Sequence, residues 1–291
     1  MKRFISYGNK GTAFYFQGCP FNSFLEQIVA GKTSLDRETF SRAVKWLRCK
    51  GILLIRISLR KGLKMVKIPI LYEDNHLLVV IKPPNILSQK DHTQDADMLT
   101  LLKQDLKIRY NKPNNVYLGL VHRLDRPVGG VMVFAKTSKS AARLSEQIRE
   151  REFIKKYLAV VHGKVSKEKD RLTHYLLKDN KTNTVSVVKQ QTKDAKKAVL
   201  DYKVLGTVGD LSLVEVDLHT GRPHQIRVQF SAIGHPLFGD QRYGAKVNKV
   251  GEQIALWSSE ISCIHPTLKK QVTFTGFPRE EYPWDKFSHL F

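Results

Sequence analysis

The feature that most restricts the fold of this chain is a series of short apolar runs of strand length with few helical patterns between them. Runs of this kind, rich in Val, Ile, Leu and Tyr and bounded by polar or turn residues, are typical of β-strands. Their dominance predicts an α+β fold with a mixed, largely antiparallel central sheet and flanking helices. The predicted strands are Ile52–Ile57, Leu77–Ile81, Tyr117–His122, Val131–Ala135, Tyr157–Val161, Thr184–Val188, Ala198–Leu205 and Leu211–Leu218.

Two helices are predicted among these strands. Thr137 can cap the first helix, because a threonine hydroxyl accepts a hydrogen bond from a free N–H of the first turn. Ala141, Leu144 and Ile148 recur at helical spacing and form the apolar face of that helix. Pro223 opens the second helix, because proline fits the first helical turn, where its missing N–H is not needed.

The chain is strongly basic. It carries 49 Lys and Arg residues against 27 Asp and Glu, a formal net charge of +22 in 291 residues. Such an excess favours a polyanionic partner, most simply a nucleic acid; the alternative is a solvated basic surface without a specific ligand. Residues 1–64 hold 13 of the cations and three acids. This composition predicts a basic N-terminal extension, residues 1–64, ahead of a domain of residues 65–291.

The sequence favours a soluble, cytoplasmic protein with no membrane partner. No apolar run approaches the ~20 residues that a membrane helix needs, and the basic start is followed by polar residues instead of an apolar signal core. The cysteines, Cys19, Cys49 and Cys263, are odd in number and far apart. This spacing gives neither a disulfide framework nor a C-x-x-C motif.

The segment His122–Gly130 is the first candidate for chemistry. It follows a predicted strand and places Asp125 between Arg123 and Arg126. Cations near a carboxylate lower its pKa and keep it ionised, so Asp125 could act as a nucleophile, a base or a metal ligand. The alternative is an aspartate that ties down a turn and pairs with arginine.

Two further segments have a polar residue where a ligand could bind. In Thr220–Arg227, a glycine and a proline lead into a helix whose free N–H groups attract anions. Arg222 and Arg227 in that segment could hold a phosphate or a carboxylate, or could be ordinary helix-surface arginines. Tyr157, at a strand start, could stack on a base, although a half-buried strand tyrosine is common.

No motif for a metal or a nucleotide cofactor is present. His219, His224 and His235 lie close in sequence, but they match no zinc-binding spacing and have no acidic ligand set nearby. The chain also has no Walker lysine loop, no G-x-G-x-x-G and no nucleophile-elbow serine. We therefore expect neither a metal nor a cofactor.

Taken together and in order, these segments resemble the RluA family of pseudouridine synthases over about residues 68–280. One tetrapeptide would be a weak signal, whereas several ordered blocks in one chain are a strong one. The matching blocks are Ile70–Asp74 with Val79–Pro83, His122–Asp125, Lys156-Tyr157, Gly221–Arg227, Gly234–Pro236, Gly239-Asp240 and Tyr243-Gly244.

The resemblance implies an enzyme with the pseudouridine synthase fold and an active-site cleft. Such an enzyme converts a uridine of structured RNA to pseudouridine without a cofactor or metal, by exchanging the N1–C1′ bond for a C5–C1′ bond. It implies that Asp125 is the catalytic carboxylate, that Tyr157 packs under the base, and that Arg227, or else Arg222, pairs with Asp125. The implied RNA contacts are His122, Arg123, Arg126, Arg222 and His224.

Two departures from the family pattern bear on this interpretation. Many members have a Thr-Ser-Gly stretch after the aspartate, where this chain has Pro127–Gly130, so we expect the loop to position RNA differently. Residues 1–64 faintly resemble a degenerate S4-type RNA-binding segment and could instead be an upstream extension. The preferred prediction is a monomeric enzyme acting on ribosomal RNA ahead of transfer RNA. The rival is a catalytically inert RNA-binding or ribosome-assembly protein of the same fold.

Overall fold

The computed structural model describes residues 42–43, 52–59, 62–93 and 95–290, with the backbone alone for 52–59 and 62–67. Most of the predicted extension, residues 1–64, lies outside the described residues. No described helix has the combination of length and apolar character that crossing a bilayer would require.

The described strands are β1 (Ile52–Leu59), β2 (Gly62–Glu73), β3 (Leu77–Lys82), β4 (Gly119–Leu120), β5 (Gly129–Ala135), β6 (Ile154–His162), β7 (Lys169–Asp179), β8 (Thr184–Val188), β9 (Lys196–Val208), β10 (Leu211–Leu218), β11 (Leu256–Ile264) and β12 (Gln271–Thr275). They form a twelve-stranded sheet in the order β1-β2-β3-β5-β11-β6-β10-β9-β7-β8, with β4 paired to β5 and β12 to β11. Among these strands every pairing is antiparallel except the one between β5 and β11, which confirms the predicted mixed, largely antiparallel sheet.

Three α-helices accompany the sheet in the described part of the chain: α1 (Met98–Arg109), α2 (Ser138–Glu150) and α3 (Gln225–Ala232); a 3₁₀ helix spans Trp284–Leu290. The prediction for α2 is confirmed in detail, because the Thr137 hydroxyl accepts a hydrogen bond from the Ser140 N–H at 3.1 Å. Helix α3 follows Pro223 as predicted, but it begins at Gln225 with His224 as its N-cap, so Pro223 precedes the first helical turn and is not part of it.

The sheet is covered by apolar side chains on both faces. Along β3, successive residues alternate between two clusters: Leu78 packs with Met98 of α1 on one face, and Leu77 packs with Leu144 of α2 on the other. All four side chains are fully buried. Burial on both faces is why Leu77–Ile81 is a continuous apolar run instead of an alternating one.

Several predicted elements differ in the structure. The strand predicted at Tyr117–His122 is only Gly119–Leu120, because the Val133 N–H of β5 donates to the His122 imidazole at 2.9 Å. The His122 side chain thus accepts the hydrogen bond that a backbone carbonyl would accept if β4 continued beside β5. The sequence patterns also missed β2, α1, β7, β11 and β12. The predicted boundary between residues 64 and 65 falls within β2, and the division into two domains stays a prediction.

Candidate active site

The candidate site lies where three neighbouring strands bring distant segments together. Asp125 is in the loop between β4 and β5, and Tyr157 is in β6. Gly130, at the end of that loop, and Tyr157 both pair with Ser258 of the intervening strand β11. Because neighbouring strands are about 5 Å apart, this pairing fixes Tyr157 close to the loop that carries Asp125.

Helix α3 contributes the partner of Asp125. The Arg227 Nη1 donates to Asp125 Oδ2 at 3.2 Å, and the Asp125 side chain is 30% exposed. Burial alone would lower the pKa of Arg227, but its bonds and charge contacts with Asp240 and Asp125 raise that pKa well above its usual value. Arg227 is therefore a permanent cation in direct contact with the Asp125 carboxylate.

Asp240 orients this arginine. Its two carboxylate oxygens accept from Arg227 Nε and Nη2 at 2.8 and 2.9 Å, and its side chain is fully buried. Burial would raise the pKa of Asp240, but the Arg227 guanidinium and the N–H groups of Arg242 and Tyr243 lower it. Because Asp240 occupies one edge of the guanidinium in a bidentate pair, the remaining Nη1 is directed at Asp125.

His224 and Tyr243 complete the surroundings of the carboxylate. The His224 Nε2 is 3.9 Å from Asp125 Oδ2, and its Nδ1 is 2.7 Å from the Tyr243 hydroxyl. Burial lowers the pKa of His224 even though the Asp125 charge opposes the shift, so the ring is neutral at ordinary pH. The Val185 N–H donates to the Tyr243 oxygen at 2.9 Å, so the Tyr243 proton is free to point at Nδ1. This arrangement would place the His224 N–H at Nε2, facing Asp125.

Tyr243 also contacts the arginine. The Arg227 guanidinium carbon lies 5.2 Å from the centroid of the Tyr243 ring, within range of a cation–π interaction. Tyr243 thus forms a hydrogen bond with the imidazole and packs its ring against the guanidinium, the two groups beside Asp125. The hydrogen bond from the Val185 N–H to the Tyr243 hydroxyl also connects this tyrosine to strand β8.

Hydrogen bonds to backbone carbonyls hold residues 124–128, the loop segment that carries Asp125. A loop fixed in this way needs little rearrangement before it meets a substrate. The donors and acceptors are Ser88 Oγ to Leu124 O at 2.7 Å, Val128 N to Asp125 O at 3.0 Å, Asn85 N to Arg126 O at 2.8 Å, Gln253 Nε2 to Pro127 O at 2.6 Å and Lys82 Nζ to Val128 O at 2.7 Å.

Lys82 makes the most buried of these contacts. Its side chain is fully buried at the end of β3, and its ammonium also donates to the carbonyls of Pro83 and Arg126, both at 3.1 Å. Burial lowers the pKa of Lys82 to about 7, although the Asp125 charge opposes the shift. Lys82 therefore links the central sheet to the loop that carries Asp125.

Gly130 permits the close approach of β5 to β11. Its φ is +122°, and a Cβ at this position would lie 2.3 Å from the Ser258 carbonyl oxygen. A side chain there is excluded both by conformation and by space. Gly130 belongs to Pro127–Gly130, the segment that stands where many family members have Thr-Ser-Gly. The close packing of β5 on β11 requires a glycine at this position.

Tyr157 is in the main core cluster and is almost fully buried. Burial raises the pKa of Tyr157, and the negative charge of Asp125 adds to the shift. The phenol therefore stays protonated near Asp125. Its placement is compatible with packing under a base, and that role stays a prediction.

The structure separates the remaining predicted site residues into two groups. Arg123 and Arg126 are exposed beside Asp125, and Arg126 pairs with Asp95 at 2.8 Å. Arg222 instead donates from Nε to the Lys197 carbonyl at 3.0 Å. Between the two candidate arginines, Arg227 is the one placed on Asp125.

His122 faces the protein interior. Its Nε2 accepts from Val133, and its ring lies 5.5 Å from the Phe153 ring. Burial lowers the pKa of His122 to about 3, and the Lys155 charge adds to the shift. This geometry suits a structural histidine better than an RNA contact, and its predicted RNA contact stays a prediction.

The three histidines considered as metal ligands bond to separate groups. His219 Nε2 lies 2.9 Å from Asp201 Oδ2, and His235 Nδ1 lies 2.9 Å from the His162 carbonyl. Within residues 42–43, 52–59, 62–93 and 95–290, no cluster of three or more His, Cys, Asp or Glu side chains is arranged to hold a metal. The expectation of no metal stays a prediction.

The sequence reasoning missed Asp240 and Lys82 as functional candidates. Asp240 is in the matching block Gly239-Asp240, which was the one available signal, but nothing in that dipeptide indicates a role. Lys82 precedes two prolines, where a lysine is typical of a strand end exposed to solvent.

Comparisons with known proteins agree on one family. A family model described as RNA pseudouridylate synthase matches residues 76–232. The chain is 28% identical to "Ribosomal large subunit pseudouridine synthase C" of Buchnera aphidicola subsp. Baizongia pistaciae over 90% of this chain and 86% of that protein. About a tenth of this chain lies outside that match, which is fewer than 64 residues. The match therefore includes part of residues 1–64.

Two further likenesses concern a second relative and the fold. The chain is 31% identical to "tRNA pseudouridine synthase C" of Haemophilus influenzae over 76% of this chain and 97% of that protein. Its fold is similar to the solved structure of "Human RNA Pseudouridylate Synthase Domain Containing 4", with a TM-score of 0.61, 23% identity, and coverage of 72% of this chain and 88% of that one.

Proposed function

The chain belongs to the RNA pseudouridylate synthase family, which confirms the enzyme class expected from its sequence, and we propose that it isomerises specific uridines of structured RNA through Asp125. The reaction breaks the N1–C1′ bond of the uridine and forms a C5–C1′ bond, so no atom is gained or lost. The resemblance to the RluA family is likewise confirmed by the family match and the named relatives.

The observation that carries the assignment to Asp125 is its bond to Arg227. A carboxylate that attacks the ribose or the base must be charged in a site where RNA has displaced water. Water otherwise stabilises this charge, so a fixed cation has to replace it. Arg227 is that cation, and the buried pair with Asp240 holds it in place.

Tyr157 supplies the surface under the base in this proposal. A uridine within folded RNA has to leave its stack before a side chain can reach it, and an aromatic residue can then stack on the extruded base. The Tyr157 phenol stays protonated near Asp125, so it is an uncharged aromatic surface on which the base can stack. The resulting set is Asp125 as the reacting carboxylate, Arg227 as its cation and Tyr157 as the base platform.

We propose ribosomal RNA ahead of transfer RNA as the substrate. The Buchnera relative is named for the large ribosomal subunit and the Haemophilus relative for tRNA, so the names support both classes. The net charge of +22 suits either polyanion. The exposed Arg123 and Arg126 are the contacts best placed for RNA beside Asp125, and His122, Arg222 and His224 stay predicted contacts.

Residues 1–64 are proposed to be a basic RNA-binding extension of the catalytic domain, residues 65–291. Their surplus of cations supports this role, as does the extension of the Buchnera likeness into them. We further propose that the enzyme works as a cytoplasmic monomer and needs neither a cofactor nor a metal.

The experiment that tests the function is a map of pseudouridine in total RNA from cells with and without the gene. We expect one or a few ribosomal or transfer RNA positions to lose the modification, and the wild-type gene to restore it. Restoration by the Asp125→Asn variant would contradict the assignment of Asp125. Identical maps with and without the gene would favour the inert RNA-binding protein.

A further inference from the structure

Lys155 is a half-buried cation that the proposed chemistry does not use. It lies in β6 two residues before Tyr157. Because side chains alternate along a strand, Lys155 and Tyr157 project from the same face of the sheet, with their Cα atoms about 7 Å apart. Its ammonium therefore lies on the same face as the ring proposed to stack on the uridine.

The described neighbours of Lys155 line the candidate site, but they do not neutralise the charge of its ammonium. A Cβ on Gly221, in the loop that leads into α3, would lie 3.5 Å from the Lys155 Nζ. The charge of Lys155 also reaches His122, whose pKa it lowers. No hydrogen bond or ion pair joins the Lys155 ammonium to another group in the part of the chain that the structure describes.

The next residue shows what an ordinary strand lysine does here. Lys156 projects from the opposite face, and its ammonium is 3.9 Å from a Glu260 carboxylate oxygen. Lys155 has no such partner, and burial lowers its pKa. Removing an ammonium from water without pairing it with an anion is unfavourable. Lys155 therefore has the properties expected of a binding group for a negatively charged ligand.

We propose that Lys155 binds a phosphodiester group of the RNA backbone next to the uridine that stacks on Tyr157. The inference rests on the proposed function, which supplies the polyanionic ligand. A phosphate fits better than a neutral base oxygen, because a lysine ammonium is a compact point charge and gains most from an anion. Because position 221 is a glycine, the α3 loop places no side chain against the ammonium at this point.

The test compares Lys155→Met with the matched variant Lys156→Met. Binding of a synthetic stem–loop RNA with a uridine-rich loop is measured over a range of salt concentrations. Each lost phosphate contact reduces the slope of log K against log salt by about 0.7 for single-stranded RNA. We expect Lys155→Met to bind more weakly with a slope reduced by about this amount, and Lys156→Met to keep the wild-type slope.

Thermal unfolding separates this role from a structural one. Methionine keeps most of the lysine stem and removes an unpaired cation, so we expect Lys155→Met to be at least as stable as the wild type. A clear loss of stability, an unchanged salt slope, or an equal change in Lys156→Met would overturn the proposal. Weaker binding with an unchanged slope would indicate a contact to an uncharged RNA group and would also overturn it.

The outcome for the phosphate site is distinguishable from that for the proposed function. Pseudouridine formation by the wild-type enzyme is measured separately from binding. If the wild type formed no pseudouridine in any RNA and Lys155→Met still lost one contact of salt dependence, the phosphate site would stand and the proposed function would fail.

Discussion

The guanidinium of Arg227 donates to the Asp125 carboxylate at 3.2 Å although 102 residues separate the two in sequence. The same guanidinium is clamped on its other edge by the buried Asp240. The carboxylate proposed to react is thus held by a cation whose own position is fixed before RNA arrives.

Arg227→Lys should lower kcat by at least roughly tenfold, about 1.4 kcal/mol of transition-state stabilisation. Lysine keeps the charge but cannot form the bidentate pair with Asp240 and reach Asp125 as well. Pseudouridine formation under saturating RNA is the measurement. Arg227→Ala would leave the buried Asp240 without the cation that balances its charge, so we expect it to cost about 3–5 kcal/mol of stability.

Arg222→Ala is the matched control for that series. Arg222 bonds to the Lys197 carbonyl and not to Asp125, so we expect its loss to affect RNA affinity more than kcat. If Arg222→Ala abolished turnover while Arg227→Lys retained it, the partner of Asp125 would be misassigned.

Tyr243→Phe should reduce kcat with little change in KM. The variant keeps the ring beside Arg227 but loses the hydroxyl that bonds to His224 and Val185. Because the hydroxyl proton is proposed to hold the neutral imidazole, its loss should also shift the low-pH limb of the kcat profile to higher pH. Tyr110→Phe, which removes a hydroxyl bonded to Glu73, should leave the profile unchanged; a shift in both variants would contradict the account.

His122 should make the free energy of unfolding depend on pH. Its pKa in the folded protein, about 3, lies below the unfolded value near 6.5. The unfolded chain therefore takes up a proton at this residue as the pH falls through 6.5, whereas the folded protein does not until near pH 3. Its contribution to stability is complete above about pH 6.5 and decreases as the pH falls from 6.5 toward 3.

His122→Gln should weaken that dependence, because glutamine can still accept from Val133 and does not titrate. The measurement is chemical denaturation at a series of pH values. His92→Gln, at an exposed position, serves as the control. If the His122→Gln curve kept the full wild-type slope between pH 6.5 and 3, the low pKa assigned to His122 in the folded protein would be incorrect.

Lys82→Met should loosen the loop that carries Asp125. The buried Val128 carbonyl loses its donor, and an unsatisfied buried polar group costs about 1–3 kcal/mol. We expect a loss of stability of that order together with faster amide hydrogen exchange at Val128. Lys136→Met, which breaks an ion pair with Glu73, should leave the Val128 exchange rate unchanged. Equal exchange rates in wild type and Lys82→Met would contradict the proposed clamp.

Two of the correctly predicted strands are continuous apolar runs. Leu77–Ile81 and Val131–Ala135 are buried on both faces, so their composition alone indicated them. Strand β7 and helix α1 carry many polar side chains, and the apolar signal in each is divided among them. In α1 the cap Asp97 with Leu101, Leu102 and Leu106 was the overlooked pattern.

The candidate site shows the same division between local and long-range information. Asp125 and Arg227 were each identified within a short motif. The choice between Arg227 and Arg222 depends on the rotation of α3 against the loop, which no local pattern encodes. The buried Lys82 violates the rule that lysines are exposed, and three carbonyls brought together by the fold compensate for its burial.

The measurement that tests the central claim most directly is pseudouridine formation by Asp125→Asn under conditions in which the RNA is bound. The neutral amide has almost the same shape as the carboxylate but cannot attack or carry its charge. We predict that the variant binds RNA with near wild-type affinity and forms no pseudouridine. Turnover at the wild-type rate would contradict the assignment of Asp125 as the reacting group.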